Sequence, residues 1–527
     1  MLKKFLIALI ILLAASSTAA AEKILFIPHD DRPVSCQQPA EVVAHLGYEI
    51  LMPPTEILTQ PEKLWHWFDE NAPAADAAVV ASDALLYGGL ISSRSHKISA
   101  EKIQARVENF KALREKNPSL KIYVFGSLMR TPSVGTPGDI EEPDYYGQYG
   151  ADIFQLTRLL DKQETKKLSG GEKKNLAELQ KKIPAEFLDD YFARREKNFG
   201  ATKQLVDLAG GGVIDSLIIG RDDNAPLCQT HRENRQLLAY IAEKKISKTR
   251  AQSHAGIDEY AMLLLTRAVT DLRGEIPFVY VKFNSGVGEK TVPAYSDEEL
   301  GQSIRDEILL AGGMKIPKPD RADLVLFVNT DPKGKTYHMH NSCPPMILTK
   351  SQQKYFQRNA KKFSAMVEEA VNKNLPVAVA DVIFANGSDS ALMDELERRD
   401  LLFKLRAYAG WNTATNTSGF VLGSGILSRH MTDDARDKIL ARRYLDDWGY
   451  QTFVRTQIAA ELAKEPNGYQ IYLHLGDREN SVAERETELM RKFAVENFPQ
   501  LSFLRQVTVT NPWHRMFECA IHFGGTD

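Results

Sequence analysis

Short apolar runs along this chain break off again and again into carboxylates, amides or arginines. Ile24 to Ile27 leads into His29, Asp30, Asp31 and Arg32. Ala77 to Val80 leads into Ser82 and Asp83, and Ser216 to Ile219 into Arg221, Asp222, Asp223 and Asn224. Leu324 to Val328 stops at Asn329 and Asp331, Val377 to Ala380 at Asp381, and Leu405 to Ala409 at Trp411 and Asn412. In a parallel α/β sheet or barrel the carboxyl ends of the strands share one face, and ligands bind there. The pattern therefore predicts an enzyme or a small-molecule binder whose polar tips meet in one pocket. It fixes no particular reaction.

Helical stretches lie between most of these runs. The first unit reads as strand, loop and a short helix at Pro39 to Leu46 that Gly47 ends, followed by a strand at Tyr48 to Leu51 that Pro53 and Pro54 close. Further strands are expected at Lys121 to Gly126 and Pro277 to Phe283. Such alternation predicts an α/β fold with a mostly parallel sheet, barrel-like or doubly wound. Residues 150–198 differ, with charge runs at 161–167 and 171–174 among apolar residues at helical spacing. They predict a helical insertion, as a lid or a packed excursion, although charge runs are commonly just solvated faces. After Trp411 the chain becomes helix-rich, with helices at Ala435 to Trp448, Thr452 to Ala463 and Ser481 to Phe498. A strand is expected at Gln470 to Leu475 and one or two more from Val507. A boundary between about 297 and 319 separates an N-terminal α/β region, 22–300, from a C-terminal one, 301–527.

The amino terminus changes the compartment. Lys3 and Lys4, apolar Phe5 to Ala15 and Ala19-Ala20-Ala21 form a signal-peptide pattern over residues 1–21. The apolar stretch is too short to favour a membrane span. The mature chain is expected to be periplasmic or secreted, with no membrane span after cleavage. A formal charge of −3 gives no electrostatic case for nucleic acid. Cys36, Cys228, Cys343 and Cys519 are far apart, leaving room for one or two disulfides but not for a disulfide scaffold.

Candidate chemistry follows the strand ends. Arg32 can hold Asp30 or Asp31 ionised. Gly88-Gly89 after Asp83 permits close backbone approach, and Arg94 can reach an anion. Asp222 and Asp223 are adjacent, yet different surroundings can keep one protonated and the other ionised, as glycosidic cleavage requires. Asp258 and Glu259 stand at a helix start, where capping accounts for Asp258 and Glu259 remains a candidate acid or base. Trp411 offers a flat face for a sugar ring, with Asn412 and Asn416 as hydrogen-bonding partners. Asp381 and Asn386 form another polar loop. No G-x-G-x-x-G follows a strand, and P-loop, G-x-S-x-G and H-E-x-x-H motifs do not occur. No cofactor is indicated. A divalent metal on Asp30, Asp31 and Asp222 or Asp223 is the alternative, since oxygen-rich sites suit hard cations.

Several of these segments together carry a family likeness: Asp30-Asp31-Arg32-Pro33, Ser82-Asp83 through Gly88-Gly89-Leu90, Asp222-Asp223, Gly256-Ile257-Asp258-Glu259, Asp381 with Ala385-Asn386-Gly387, and Gly410-Trp411-Asn412-Thr413 with Asn416-Thr417. On them the chain resembles the bacterial domain-of-unknown-function family 4127 along nearly its whole mature length. The resemblance implies one architecture and one shared pocket, and no reaction. His29 departs from the family's pattern, in which Leu more often precedes Asp-Asp.

The expectation is an exported hydrolase acting on a carbohydrate or glycoconjugate. Asp222 or Asp223 would be acid or nucleophile, with Glu259 or Asp31 as second carboxyl. Arg32, Arg94 and Asn224 would orient the substrate, and Trp411, Asn412 and Asn416 would bind the sugar. Asp30, Asp83, Asp258, Asp381 and Asn386 would complete the binding surface. The alternatives are a periplasmic solute-binding protein and a metal-dependent hydrolase or deacetylase. In each case the partner is a small molecule or a glycan.

Overall fold

Each of the six apolar runs that end in polar residues forms a parallel strand. The computed structural model describes residues 21–137, 140–339 and 341–524; residues 1–20, most of the expected signal peptide, lie outside them. The first sheet consists of β1 (Lys23–Ile27), β2 (Glu49–Leu51), β3 (Ala77–Ala81), β4 (Lys121–Leu128), β5 (Ser216–Arg221) and β6 (Ala251–Ala255). Its order is β2-β1-β3-β4-β5-β6, with every pair parallel. This is a doubly wound order whose direction reverses at β1/β3, the kind of switch point where such sheets bind ligands.

The second sheet is built from β7 (Phe278–Phe283), β8 (Met314–Lys315), β9 (Leu324–Asn329), β11 (Val377–Asp381) and β13 (Ala407–Ala409), in the order β13-β11-β9-β7-β8. Two short strands, β10 (Tyr337–His338) and β12 (Phe384–Ala385), pair separately, and β14 (Thr508–Thr510) with β15 (Ala520–His522) makes an antiparallel pair near the carboxyl end. The architecture is two open sheets rather than a barrel. β6 escaped the sequence pattern because Ala251-Gln252-Ser253-His254-Ala255 contains no apolar run, yet it pairs fully with β5.

Strand alternation sets the layers. On β9, Leu324, Leu326 and Val328 face a core shared with the first sheet, whereas Val325 and Phe327 face a second core under the carboxyl-terminal helices. The helices used below are α1 (Ser82–Tyr87), α2 (Leu90–Ser95), α3 (Asp144–Thr165), α4 (Gly170–Lys182), α5 (Ala185–Gly210), α6 (Tyr260–Arg273), α7 (Leu300–Leu310) and α8 (Ala414–Leu427). α6 and α8 lie back to back between the sheets. Gly419 and Gly423 on α8 permit that approach, since a Cβ on them would meet Glu259 Cγ and Met262 Cγ at 2.6 and 2.8 Å.

The insertion is a packed excursion. α3, α4 and the start of α5 have a small core of their own around Tyr146, Ile153, Leu156 and Tyr191. The end of α5 returns to the first sheet through Ala201, Leu205, Val206 and Ala209. The strand expected at Gln470 to Leu475 is instead a helix, Gly468–Leu473. Six residues of mixed polarity fit either period, and packing decides between them. Here Tyr472 is drawn inward to donate to Asn341 O at 2.6 Å while accepting from Arg455. All four cysteines are buried and unpaired. No described helix is long and apolar enough to cross a membrane.

Candidate functional site

At the carboxyl ends of β1, β3, β4, β5 and β6 a cavity of about 340 Å³ opens. Arg32 follows β1, Leu90 and Arg94 lie beyond β3 on α2, Arg130 follows β4, Asp222 and Asp223 follow β5, and Asp258 follows β6. The second sheet contributes Asn386, Asn412 and Thr413. Glu141, Tyr295 and the late segment Arg455, Tyr472, His474, Trp513, Arg515 and Phe517 close the wall. Strand ends scattered through the sequence thus converge. Seven residues expected from sequence line the cavity: Arg32, Arg94, Asp222, Asp223, Asp258, Asn386 and Asn412.

Arginines and carboxylates alternate around it. Arg94 donates to Asp222 Oδ2 at 2.7 Å and to Glu141 Oε2 at 2.9 Å. Arg130 Nη1 donates to Asp223 Oδ2 at 2.9 Å and lies 3.1 Å from the same Glu141 oxygen. Arg515 reaches Glu141 Oε1 at 2.6 Å and is itself held by Glu518 at 2.8 Å. Arg32 donates to Asp30 Oδ2 and Asp258 Oδ1, each at 2.7 Å, while Asn412 donates to Asp258 Oδ2 at 2.8 Å.

These surroundings drive two carboxyls apart. Burial raises Asp223, the adjacent Asp222 charge adds to that, and Arg130 and Arg94 only partly offset it, so its carboxyl is pushed up to about 7. Burial would raise Glu141 as well, but Arg130, Arg515 and Arg94 together hold it well below the ordinary carboxylate range. Near neutrality one is poised to give a proton while the other stays ionised. Both touch Arg130 Nη1, which limits the oxygens to at most about 6 Å apart, a ceiling that admits the carboxyl spacing of about 5 to 5.5 Å in retaining glycosidases.

Backbone strain marks the same place. Of the eleven non-glycine residues with positive φ among those described, five line the cavity: Asp223, Tyr295, Asn386, Asn412 and Trp513. Such conformations cost about 1 to 3 kcal/mol each and persist where the surroundings over-determine them, often at functional sites.

The other expected residues lie elsewhere, for definite reasons. Glu259 is fully buried and turned from the cavity into the interior, where Gly256 and Gly419 make room for it, so it is not a second carboxyl for this site. Asp31 accepts from Trp513 Nε1 at 2.7 Å, outside the lining, and orients that ring. Asp30 backs Arg32. Asp83 sits behind the wall and accepts from Ser127 Oγ at 2.8 Å; burial pushes its carboxyl up to about 6. Asn224 folds back to accept from Ala225 N and Cys228 Sγ. Asp381 is pinned by Asn329, Tyr408 and the Asp389 backbone N–H. Asn416 accepts from Ile257 N at 3.3 Å and stands one layer back. Trp411 offers no face, being 4% exposed and packed against Phe517.

The sequence reading missed Arg130, Glu141, Trp513 and Arg515. Arg130 follows the same rule as its neighbours, a polar residue just past an apolar strand, and was legible on that ground. Glu141 and the late segment lie in loops with no periodic signal. A metal on Asp30, Asp31 and Asp222 or Asp223 does not fit, because Asp222 and Asp223 are engaged by Arg94 and Arg130. His29, Asp30 and Asp258 do gather, but the Arg32 guanidinium already occupies the position of a cation among them. Burial would lower His29, yet Asp30 and Asp258 outweigh it and raise the imidazole to about 9.

A family model described as a protein of unknown function, DUF4127, matches residues 24–522. No curated protein and no solved structure matches the chain.

Proposed function

The chain belongs to the DUF4127 family, whose name assigns no reaction, and from the cavity we propose an exported hydrolase of carbohydrates or glycoconjugates that cleaves a glycosidic bond. Asp223 gives a proton to the departing oxygen as ionised Glu141 attacks the anomeric carbon, and water then hydrolyses the glycosyl ester, giving its proton back to Asp223 and freeing Glu141. Arg130 holds both carboxyls in register, while Arg94 and Arg515 keep Glu141 charged. Asn386, Asn412 and Asp258 offer donors and acceptors for sugar hydroxyls, with Tyr295 and Trp513 as aromatic walls.

The observation that carries this reading is the meeting of the Asp223 and Glu141 carboxyls on one shared arginine, in surroundings that push the first up and hold the second down. A panel of chromogenic glycosides and glycan extracts tests it. Turnover of at least one substrate is expected, with retention of anomeric configuration in the product. Glu141→Gln should abolish it, and Asp223→Asn should slow it most on the substrates whose leaving group needs a proton. Tight retention of a sugar with no cleavage of any glycoside would favour solute binding instead.

A further inference from the structure

A second polar cluster lies sealed between the sheets, independent of the cavity. His254 stands next to last on β6, Glu259 immediately precedes α6 and Glu307 sits on α7; all three are fully buried. His254 Nε2 is 3.8 Å from Glu259 Oε1 and 3.5 Å from Glu307 Oε1. One ligand atom from each residue lies within 4.8 Å of the others.

Four polar atoms facing its centre have no hydrogen-bond partner: His254 Nε2, both carboxylate oxygens of Glu259, and Glu307 Oε2. Buried polar groups are almost always satisfied, so such a concentration calls for something to fill it. Among the described residues no lysine or arginine forms an ion pair with Glu259 or Glu307; the His254 imidazole is the one basic side chain paired with them.

We propose that His254 Nε2, Glu259 and Glu307 bind a divalent transition-metal ion, zinc by donor type, as a structural tie between the first sheet and helices α6 and α7. Zinc bonds of about 2.0 to 2.1 Å place tetrahedral ligand atoms about 3.4 Å apart, so His254 and Glu307 at 3.5 Å already fit and His254 and Glu259 at 3.8 Å need a small contraction. Two carboxylates and a neutral imidazole balance a doubly charged ion, which answers the missing counter-charge. The unpartnered Glu307 Oε2 lets that residue bind through both oxygens and complete four-coordination.

The supporting groups have the form that metal sites use. His254 Nδ1 faces Glu298 Oε1 at 3.3 Å, as a ligating histidine turns its other nitrogen to a carboxylate. Glu298 is fixed by Ser303 Oγ at 2.8 Å and Arg221 at 3.0 Å, and Ser418 Oγ donates to Glu307 Oε1 at 2.7 Å. Glycine makes room for the Glu259 carboxylate: a Cβ at Gly256 would collide with Glu259 Oε1. The cluster is closed to solvent, which suits a structural ion rather than a catalytic one.

The test strips the whole mature chain with dipicolinate, reloads it with zinc, cobalt(II) or manganese(II), desalts it and counts bound metal by mass spectrometry. About one zinc per chain is expected, with a higher melting temperature than the stripped form. Glu259→Gln and Glu307→Gln should each weaken retention at least about tenfold. Zinc-edge X-ray absorption of the unsubstituted protein, which does not depend on a variant folding, should show one imidazole among oxygen donors. Failure to retain any of the three metals would identify a proton-sharing cluster and overturn the proposal. Wild-type retention by a folded Glu259→Gln, or zinc without imidazole scattering, would overturn it equally. None of these outcomes bears on hydrolysis in the cavity.

Discussion

Asp222 and Asp223 are neighbours in the chain but belong to different arginines, Arg94 and Arg130. The left-handed backbone at Asp223, φ 41°, accompanies that divergence. It has a consequence for stability. Asp223 titrates near 7 when folded, against an ordinary value of 3.8. Between the two the folded state holds the extra proton, so stability falls as pH rises through that window. One such carboxyl contributes up to about 1.4 kcal/mol per pH unit. Denaturation of wild type and Asp223→Asn at about pH 4 and about pH 7 should show the wild type losing about 2 kcal/mol or more relative to the variant. An unchanged difference would mean that Asp223 is not perturbed. The two tryptophans separate binding from packing. Trp513 has Arg32 and Arg515 against its ring at 4.9 and 4.8 Å. Trp513→Ala should raise KM about tenfold through loss of these contacts, whereas Trp411→Phe should lower stability and leave KM unchanged.

At the scale of elements, the turn joining α1 to α2 fixes where Arg94 points. Gly88 has φ +90°, and a Cβ there would lie 2.7 Å from Thr59 O, while Leu90 N donates to His29 O at 3.1 Å. Gly88→Ala should therefore cost about 2 kcal/mol, read as a lower denaturation midpoint, and reduce turnover by displacing Arg94. Parallel strands were legible because six buried runs each stop at a polar tip, and those tips located four cavity residues, Arg32, Asp222, Asp223 and Asn412, while Arg94, Asp258 and Asn386 came from polar loops and a helix start beyond them. β6 was not legible, since its burial comes from the sheet and not from its composition. The helix at Gly468–Leu473 was misread because a six-residue segment has no decisive period. Trp411 looked like a platform because sequence cannot distinguish a tryptophan facing solvent from one beneath Phe517. The His254, Glu259 and Glu307 cluster was invisible for a related reason: its members come from a strand end, a helix start and a separate helix.

On the scale of the whole molecule, two open sheets share a core through α6 and α8, and the cavity draws its charged floor from the first. The second sheet and the carboxyl-terminal segment supply the walls, so substrate binding should depend on both regions. Everything proposed for the cavity turns on Asp223 as the proton donor. That role is tested most directly by the turnover of Asp223→Asn on two glycosides of one sugar, one with an activated dinitrophenyl leaving group and one with an ordinary alcohol. A departing dinitrophenolate needs no proton, so kcat/KM on that substrate, which reports the bond-breaking step alone, should stay near wild type, while kcat/KM on the alcohol glycoside should fall by about a hundredfold to ten-thousandfold. Equal loss on both substrates, or none on either, would show that Asp223 does not protonate the leaving group.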